Sequence, residues 1–268
     1  MDHAKKQNRK QLLILIFTVI VFALCLLIYN KFMTNDQKVF ILKEYSSKGN
    51  LLGINEYIIR DGDTIMHGKF INYFENGNKK SEGKFINGTL NGECLYYYDN
   101  GLKESNHFQK TTEISLEATW NYPNGQLEKY AMYTDFGKPL FIIKYDKKDI
   151  VDSYKGIPQL EIYQHKVDTI SRNYEQIENH FVVGDKLKYS YLIANIPNAK
   201  RSFKIENMSV DNSKVKRTLK HIEPCQWDVE EVLTKKGKNT IQSIVKYEFK
   251  DKVTPVFIDT LSFDIEVH

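Results

Sequence analysis

The chain has 268 residues and a formal net charge of +4, with an ordinary share of charged residues and many Tyr and Phe. This length allows one or two domains that each have their own core, and the aromatic residues favour strands over helices. Four basic residues and one acidic residue lie among the first ten, so only +1 remains for the other 258 residues. That remainder has no basic excess with which to neutralise phosphates, and we predict no nucleic-acid partner.

The first element along the chain is an uninterrupted apolar segment at residues 12–29, which reads LLILIFTVIVFALCLLIY. As a helix it would be about 27 Å long, close to the hydrocarbon thickness of a bilayer. The basic tail at residues 1–11 precedes it, so the positive-inside rule places that tail in the cytoplasm and the rest of the chain outside. We predict a signal anchor that contacts membrane lipid. A cleavable signal peptide is the alternative, but no small-x-small site follows the segment.

Residues 30–145 contain a repeated phrase in which Asn-Gly closely follows an aromatic residue. The glycines are 24 residues apart, and an aromatic residue stands three positions before each one: Phe74 before Gly77, Tyr98 before Gly101 and Tyr122 before Gly125. Asn-Gly between alternating apolar segments predicts a type I′ hairpin turn, because that turn needs a positive φ at both central residues. Consecutive hairpins stack and bury one another's aromatic faces, so we predict a β-hairpin repeat array.

Several further phrases recur with these turns. They are His67-Gly68-Lys69-Phe70, Tyr73-Phe74-Glu75-Asn76-Gly77, Glu82-Gly83-Lys84-Phe85, Asn91-Gly92-Glu93 and Tyr96-Tyr97-Tyr98-Asp99-Asn100-Gly101. Together they resemble the MORN-variant repeat, the hairpin repeat of an antitoxin-like bacterial family. The third unit departs from the pattern, with Leu116 where a glycine is expected, so the repeat count stays open.

The resemblance implies an interaction module and, for some members, an antitoxin or immunity role. We therefore expect a membrane-anchored, non-catalytic protein-interaction scaffold of the bacterial cell envelope. Its bulk would be extracytoplasmic, and periplasmic in a Gram-negative cell. The alternative is the antitoxin or immunity component of a toxin–antitoxin pair. In either case we expect a protein partner.

A charged break at residues 146–158 is interpreted as a linker, where the 24-residue period ends. In residues 159–268 apolar and polar residues alternate in several short segments, as in Leu187, Tyr189, Tyr191 and Ile193. About seven such strands separated by turns predict an antiparallel β-sandwich that resembles an immunoglobulin-like domain in general shape. The Cys…Trp…Cys signature of true immunoglobulin domains is absent. The predicted fold class is therefore all-β, preceded by one transmembrane helix.

Residues that could carry chemistry are scattered along the sequence. The histidines at positions 67, 107, 165, 180 and 221 have no zinc-type spacing, and Asp61-Gly62-Asp63 is explained better by a hairpin turn than by a calcium loop. Nucleophile, P-loop and Rossmann motifs are absent from the sequence. We expect no metal, no cofactor and no catalysis. An enzyme acting on glycans stays open as an alternative, because paired carboxylates converge only in the fold.

Two cysteines, Cys94 and Cys225, lie in the predicted extracytoplasmic part. An exported domain could pair them, but we expect two independent thiols because the two lie in separate predicted domains.

The candidate binding residues are aromatic. Neighbouring residues of a strand point to opposite faces, so Tyr97 lies opposite Tyr96 and Tyr98, and one face must expose rings unless something covers them. Stacked units can cover both faces, or an exposed aromatic stripe can dock a protein partner. The candidate partner-binding residues are Tyr96, Tyr97, Tyr98, Phe74 and Tyr122.

Overall fold

The computed structural model describes residues 38–166 and 180–268, and these residues form antiparallel β-sheets almost throughout. The prediction of an all-β fold is confirmed. In this described part the helical structure is one turn of 3-10 helix at Asn212–Lys214. None of its helices is long and apolar enough to cross a membrane. The predicted anchor at residues 12–29 lies outside the described residues.

The first part of the chain forms one eleven-stranded antiparallel sheet in which strands that follow one another in the chain pair with each other. Its strands are β1 (Phe40–Tyr45), β2 (Leu51–Arg60), β3 (Asp63–Tyr73), β4 (Lys79–Ile86), β5 (Thr89–Leu90), β6 (Gly92–Tyr97), β7 (Lys103–Gln109), β8 (Ser115–Asn121), β9 (Leu127–Tyr133), β10 (Pro139–Tyr145) and β11 (Val151–Gly156). The two-residue β5 pairs only with β4, and β4 pairs directly with β6. The predicted hairpins are therefore joined into a single continuous meander.

One type of turn recurs at the repeated Asn-Gly phrases. The Phe74 N–H donates to the Asn78 carbonyl at 2.8 Å, and the Gly77 N–H donates to the Phe74 carbonyl at 2.9 Å. The same pair of bonds begins at Tyr98 and again at Tyr122. In each of these turns only the glycine has a positive φ, as in a type I turn closed by a left-handed residue and a bulge. The predicted type I′ turn is therefore wrong for these three phrases.

The asparagine side chain explains why the repeated phrases adopt this turn. The carboxamide oxygen of Asn76 accepts the N–H of Asn78 at 2.9 Å, and Asn100 accepts the N–H of Leu102 at the same distance. An asparagine that bonds the backbone two residues on stabilises such a turn locally.

True type I′ turns occur elsewhere in the same sheet. Asp61-Gly62 joins β2 to β3, and Asn87-Gly88 joins β4 to β5. Both residues of each pair have positive φ: 54° and 92° in the first pair, and 51° and 82° in the second. The hairpin interpretation of Asp61-Gly62-Asp63 therefore agrees with the structure. The two turn types differ in loop length, and the dipeptide Asn-Gly alone does not specify that length.

The repeat continues further than the sequence suggests. The Asp146 N–H donates to the Ile150 carbonyl at 2.9 Å, and the Asp149 N–H donates to the Asp146 carbonyl at 3.1 Å. Asp149, with a φ of 61°, takes the place that glycine holds in the earlier turns, 24 residues after Gly125. Residues 146–158, expected to be a linker, thus contain a repeat turn and strand β11, which pairs with β10. The division into domains stays a prediction.

The second part of the chain has seven strands, and each overlaps a strand segment predicted from the sequence. They are β12 (Gln159–Lys166), β13 (Lys186–Ile193), β14 (Ala199–Asn207), β15 (Arg217–Ile222), β16 (Gln226–Val232), β17 (Gly237–Phe249) and β18 (Phe257–Val267). They form two sheets, in the orders β12-β13-β16-β15 and β14-β17-β18. The two sheets pack together through rings such as Tyr191 and Phe203, whose centroids are 5.6 Å apart. We call this part the sandwich; its strand order is that of constant-type immunoglobulin domains.

One hydrophobic core joins the long sheet to the sandwich. Buried residues of β9 and β10, among them Met132 and Phe141, belong to the same cluster as Leu187 and Val245 of the sandwich. Toward the other end of the long sheet, the buried cluster contains Phe70, Leu90 and Cys94, with Phe85 and Tyr96 packed against it. Cys94 and Cys225 are both buried and free, as expected for independent thiols.

Substitutions at Gly101 distinguish the effect of backbone strain on stability from the effect of side-chain packing. A Cβ there would meet no atom closer than 3.8 Å, yet φ is +83°. We expect Gly101→Ala to lower the free energy of unfolding by about 1–2 kcal/mol, because a left-handed residue with a Cβ is strained. Gly101→Asn should cost clearly less, because asparagine tolerates this region. Urea unfolding followed by Trp fluorescence measures both, and equal losses for Ala and Asn would contradict the explanation.

Candidate functional site

The five candidate partner-binding residues are all partly buried, and none of them is fully exposed. Tyr96 packs against the small cluster around Cys94, and its ring meets that of His107 edge-on at 5.4 Å. Phe74 has the Lys80 ammonium 5.9 Å from its ring centroid. These rings therefore serve the packing of the sheet, and their faces are only partly available to a partner.

Two of the tyrosine hydroxyls link one repeat unit to the next. Tyr98 donates to the carbonyl of Asn121 at 2.7 Å, and Tyr122 donates to the carbonyl of Tyr145 at 3.1 Å. Each bond spans 23 residues. Phe74 occupies the equivalent position in the first unit and has no hydroxyl to make this bond.

The turn asparagines form a second ladder with the same spacing. The Asn76 amide donates to the Asp99 carbonyl at 2.9 Å, and the Asn100 amide donates to the Pro123 carbonyl at 3.1 Å. Each turn is thereby bonded to the turn of the following unit. The periodic residues that the sequence singles out thus have a structural role, whereas their predicted role in partner binding stays a prediction.

Tyr97 lies on the opposite face from Tyr96 and bonds a carboxylate. Its hydroxyl donates to Glu82 Oε1 at 2.5 Å, while Lys79 Nζ lies 2.9 Å from Glu82 Oε2. Burial, together with the Glu82 carboxylate, raises the pKa of Tyr97 to about 12. The hydrogen bond from Tyr97 and then that from Lys79 lower the pKa of Glu82 below its usual value of 4.5. This pair is the most polar feature of the aromatic run.

A cavity of about 700 Å³ lies between the long sheet and the sandwich. The sheet contributes residues of β6 to β9, and the sandwich contributes Asn195, His221 of β15 and the connection between β15 and β16. Its lining includes Glu93, Phe108, Glu117, Tyr130, Asn195, His221, Glu223 and Pro224. None of these residues is among the predicted site residues, and His221 is only one of the histidines that have no zinc-type spacing.

The buried wall of this cavity is a polar network centred on Glu117. The carboxylate accepts hydrogen bonds from the Tyr130 hydroxyl, from the Asn195 N–H at 3.1 Å and from the Asn195 amide at 2.8 Å. The same amide donates to the Pro224 carbonyl at 2.7 Å, and Arg201 donates to the Asn195 carboxamide oxygen at 2.6 Å. Burial raises the pKa of Glu117 despite these donors, and burial raises that of Tyr130 as well.

This network joins the two parts of the chain. Glu117 and Tyr130 belong to β8 and β9, whereas Asn195 and Arg201 belong to the sandwich. A buried charge is stable only when hydrogen bonds replace its water, and here Asn195 supplies two of the three donors. One feature of the sequence lies close to Glu117. The third repeat unit departs from the repeat pattern at Leu116, and Glu117 directly follows that residue. Nothing in that departure identifies a partner 78 residues away.

The histidines are placed singly rather than as a metal cluster. His107 lies between the rings of Tyr96 and Trp120, and burial lowers its pKa. His221 contacts the Trp227 ring at 4.7 Å, and His180 stacks on His268 at 4.4 Å. Among the residues that the structure describes, no group of three His, Cys, Asp or Glu side chains is arranged to hold a metal ion.

Comparison with known proteins adds no relative: no protein-family model matches the chain, and no curated protein matches it. The resemblance to MORN-variant repeats therefore stays a prediction that rests on the quoted phrases.

Removing the Tyr97 hydroxyl tests its bond to Glu82. We expect Tyr97→Phe to lower the free energy of unfolding by about 1 kcal/mol at pH 7, the usual contribution of a partly exposed charged hydrogen bond. Because the folded-state pKa of Glu82 is lowered, this stabilisation is present above pH 4.5 and is lost as the pH falls through the folded-state value. Urea unfolding between pH 3 and 7 measures the difference, with Tyr73→Phe as control. A difference that does not change with pH would contradict this explanation.

A substitution at Asn195 tests how much the Glu117 network stabilises the contact between the long sheet and the sandwich. We expect Asn195→Ala to lower the free energy of unfolding by about 2–3 kcal/mol, because Glu117 stays buried with one donor fewer and Arg201 loses an acceptor. Asn124→Ala removes an exposed turn amide and should cost less than about 1 kcal/mol. Urea unfolding measures both variants. If both variants lowered the free energy of unfolding by the same amount, the network would not be what stabilises this contact.

Proposed function

We propose that the chain is a membrane-anchored, non-catalytic protein-interaction scaffold of the bacterial cell envelope. In this proposal the long sheet is a MORN-variant repeat array and the sandwich is an immunoglobulin-like domain. Residues 12–29 anchor the chain in the membrane, and the bulk of it is extracytoplasmic. The observation that carries the proposal is the continuous sheet of repeated hairpins.

The sheet supports a docking role through the way it is built. Ladders of Tyr and Asn hydrogen bonds connect successive units at a spacing of 23 residues. Repeats that contact only their neighbours form extended surfaces, which repeat proteins use for binding. The ladders fix the turns in place, so a partner would meet a surface that is already ordered and would lose little entropy in binding it.

The two ends of the sheet differ in how much of their surface is covered. Around β9 and β10 the buried residues share the core of the sandwich. In β3 to β6 the buried cluster is limited to Phe70, Leu90 and Cys94, with two further rings packed on it. The half of the sheet that lies farther from the sandwich therefore has more surface for a partner.

The position of β1 suits a sheet held near a membrane. Residues 30–39 separate the predicted anchor from Phe40, the first residue of β1. Ten residues span at most about 35 Å even when fully extended. An anchor at residues 12–29 would therefore keep the start of the sheet within that distance of the bilayer.

Site-specific photocrosslinking in intact cells tests the proposal. A photoreactive residue at Phe74 or Tyr97 of the full chain is expected to give a discrete protein adduct in the membrane fraction. The expected adduct follows from the predicted docking of a partner on the sheet. The measurement is a mass shift on denaturing gels, followed by identification of the adduct by mass spectrometry.

The matched control is the same photoreactive residue at Ser202, an exposed position of β14 in the sandwich. A partner bound to the sheet should not be captured there. Recovery of the chain in the soluble fraction would refute the anchor. The absence of any adduct specific to the sheet positions would refute the scaffold.

A further inference from the structure

Strand β1 is an edge strand with unusual exposure of apolar side chains. Among the described residues it pairs with β2 alone, so its outer row of backbone N–H and C=O groups faces no other strand. Ile41 is 62% exposed, Tyr45 58% and Leu42 40%. An exposed apolar edge strand is a template for pairing with another chain, and proteins usually protect such edges.

Two edge strands of the sandwich, β14 and β18, show the usual protection by charged residues. β14 has Lys200, Arg201 and Lys204, and β18 alternates acidic residues such as Asp264 and Glu266 with its buried face. Charges on an edge strand oppose the approach of another sheet. β1 contains Lys43 and Glu44, both exposed, and Lys38 precedes it. Its charges are thus of mixed sign, which opposes fewer kinds of partner.

Lys38, which lies two residues before β1, and Glu44 of β1 are complementary across a two-fold axis. Antiparallel pairing around a two-fold axis through Ile41 places Ile41 opposite its own copy and Phe40 opposite Leu42 of the second copy. In that register each Lys38 faces Glu44 of the second copy, twice by symmetry, and each Lys43 faces Val39, so no like charges lie directly opposite each other. The side chains of Lys38 and Glu44 are both exposed. Opposite charges directly across an antiparallel pair stabilise the pair, and like charges there destabilise it.

Within the described part of the chain, neither charge forms an ion pair. The Lys38 ammonium lies 5.1 Å from the Phe40 ring centroid, and Glu44 Oε1 accepts a 3.3 Å hydrogen bond from the Asn55 amide. Phe40 itself stacks on Tyr57 of β2 at 5.4 Å, which holds the strand in its place in the sheet. Glu44 and the apolar side chains therefore lie on a strand of the sheet, and Lys38 lies two residues before it.

We propose that β1 is a homodimerisation strand, and that two copies of this chain join their long sheets through antiparallel β1–β1 pairing centred on Ile41. The two-fold axis is perpendicular to the sheet, so each face of one sheet continues into the same face of the other. The interface is isologous and closes after two chains, because each chain has a single β1. The proposal does not depend on the scaffold function, which concerns a different protein partner.

A charge exchange tests the register. By sedimentation velocity of the full chain in detergent micelles, we expect a concentration-dependent dimer of the 31.4 kDa chain. Lys38→Glu alone, or Glu44→Lys alone, should weaken dimerisation at least about tenfold, because each creates two repulsive pairs. The double variant Lys38→Glu with Glu44→Lys should restore it. Rescue also separates this strand pairing from association through the anchor, which the exchange leaves unchanged.

Disulfide trapping locates the two-fold axis. In a Cys25→Ser background, Ile41→Cys should form a disulfide-linked dimer on mild oxidation, since residues directly opposite lie within reach. The matched control is Ser153→Cys on β11, the other edge of the same sheet, which should remain unlinked. The proposal is overturned by a wild-type chain that stays monomeric, by single variants that dimerise as well as the wild type, or by equal linking at both cysteines. Open-ended aggregation in place of a dimer would overturn it as well.

Discussion

The long sheet depends on one backbone constraint, a left-handed residue at the same place in each repeat turn. A strand that slips by one residue moves its whole apolar set to the other face. The turn at Gly77, repeated at Gly101, Gly125 and Asp149, fixes the register of each hairpin. The Tyr and Asn ladders can form at a constant spacing of 23 residues because every turn has the same geometry.

The same constraint determines which aromatic side chains are available to contact a partner. Tyr98 and Tyr122 direct their hydroxyls to the next unit, and Tyr96 packs toward the Cys94 cluster. Gly83 permits this packing, since a Cβ there would lie 2.8 Å from both Cys94 Sγ and the Phe70 ring. Tyr97 differs from the others because its hydroxyl is bonded to a side chain that is itself partly exposed. A partner that offered Glu82 another donor could replace this bond without disturbing the ladders.

Much of the fold follows from local sequence signals. The period of 24 residues and the alternation in β13, β17 and β18 are visible in the sequence, because turns and half-buried strands leave short-range patterns. The turn type at Gly77 is not visible, since Asn-Gly is compatible with both type I′ and bulged loops. The fourth turn is hidden as well, because Asp149 replaces the glycine that marks the others. An aspartate can adopt a left-handed conformation, but its presence alone does not predict one.

The hydrogen-bond network around Glu117 could not be predicted from local sequence patterns. A single carboxylate in β8 has no periodic signature, and its partners Tyr130 and Asn195 are brought to it only by the packing of the sheet on the sandwich. Buried polar groups must be satisfied wherever the fold places them, so the need for a partner follows from the burial of Glu117. The identity of that partner is determined by tertiary structure, which no local pattern encodes.

The sandwich also covers one end of the repeat array. Stacked units need terminal elements that cover the last interface and edge. At the β11 end Tyr154 stacks on Phe257 at 4.8 Å, and residues 150–154 line one cavity together with Val253, Thr254 and Pro255 of the connection between β17 and β18. The sandwich therefore caps this end. At the β1 end the described chain supplies no equivalent cover, although Ile41, Leu42 and Tyr45 are exposed there. An array capped at one end and apolar at the other is expected to associate through the uncapped edge. The charges of Lys38, Lys43 and Glu44 at that edge then select among possible partners.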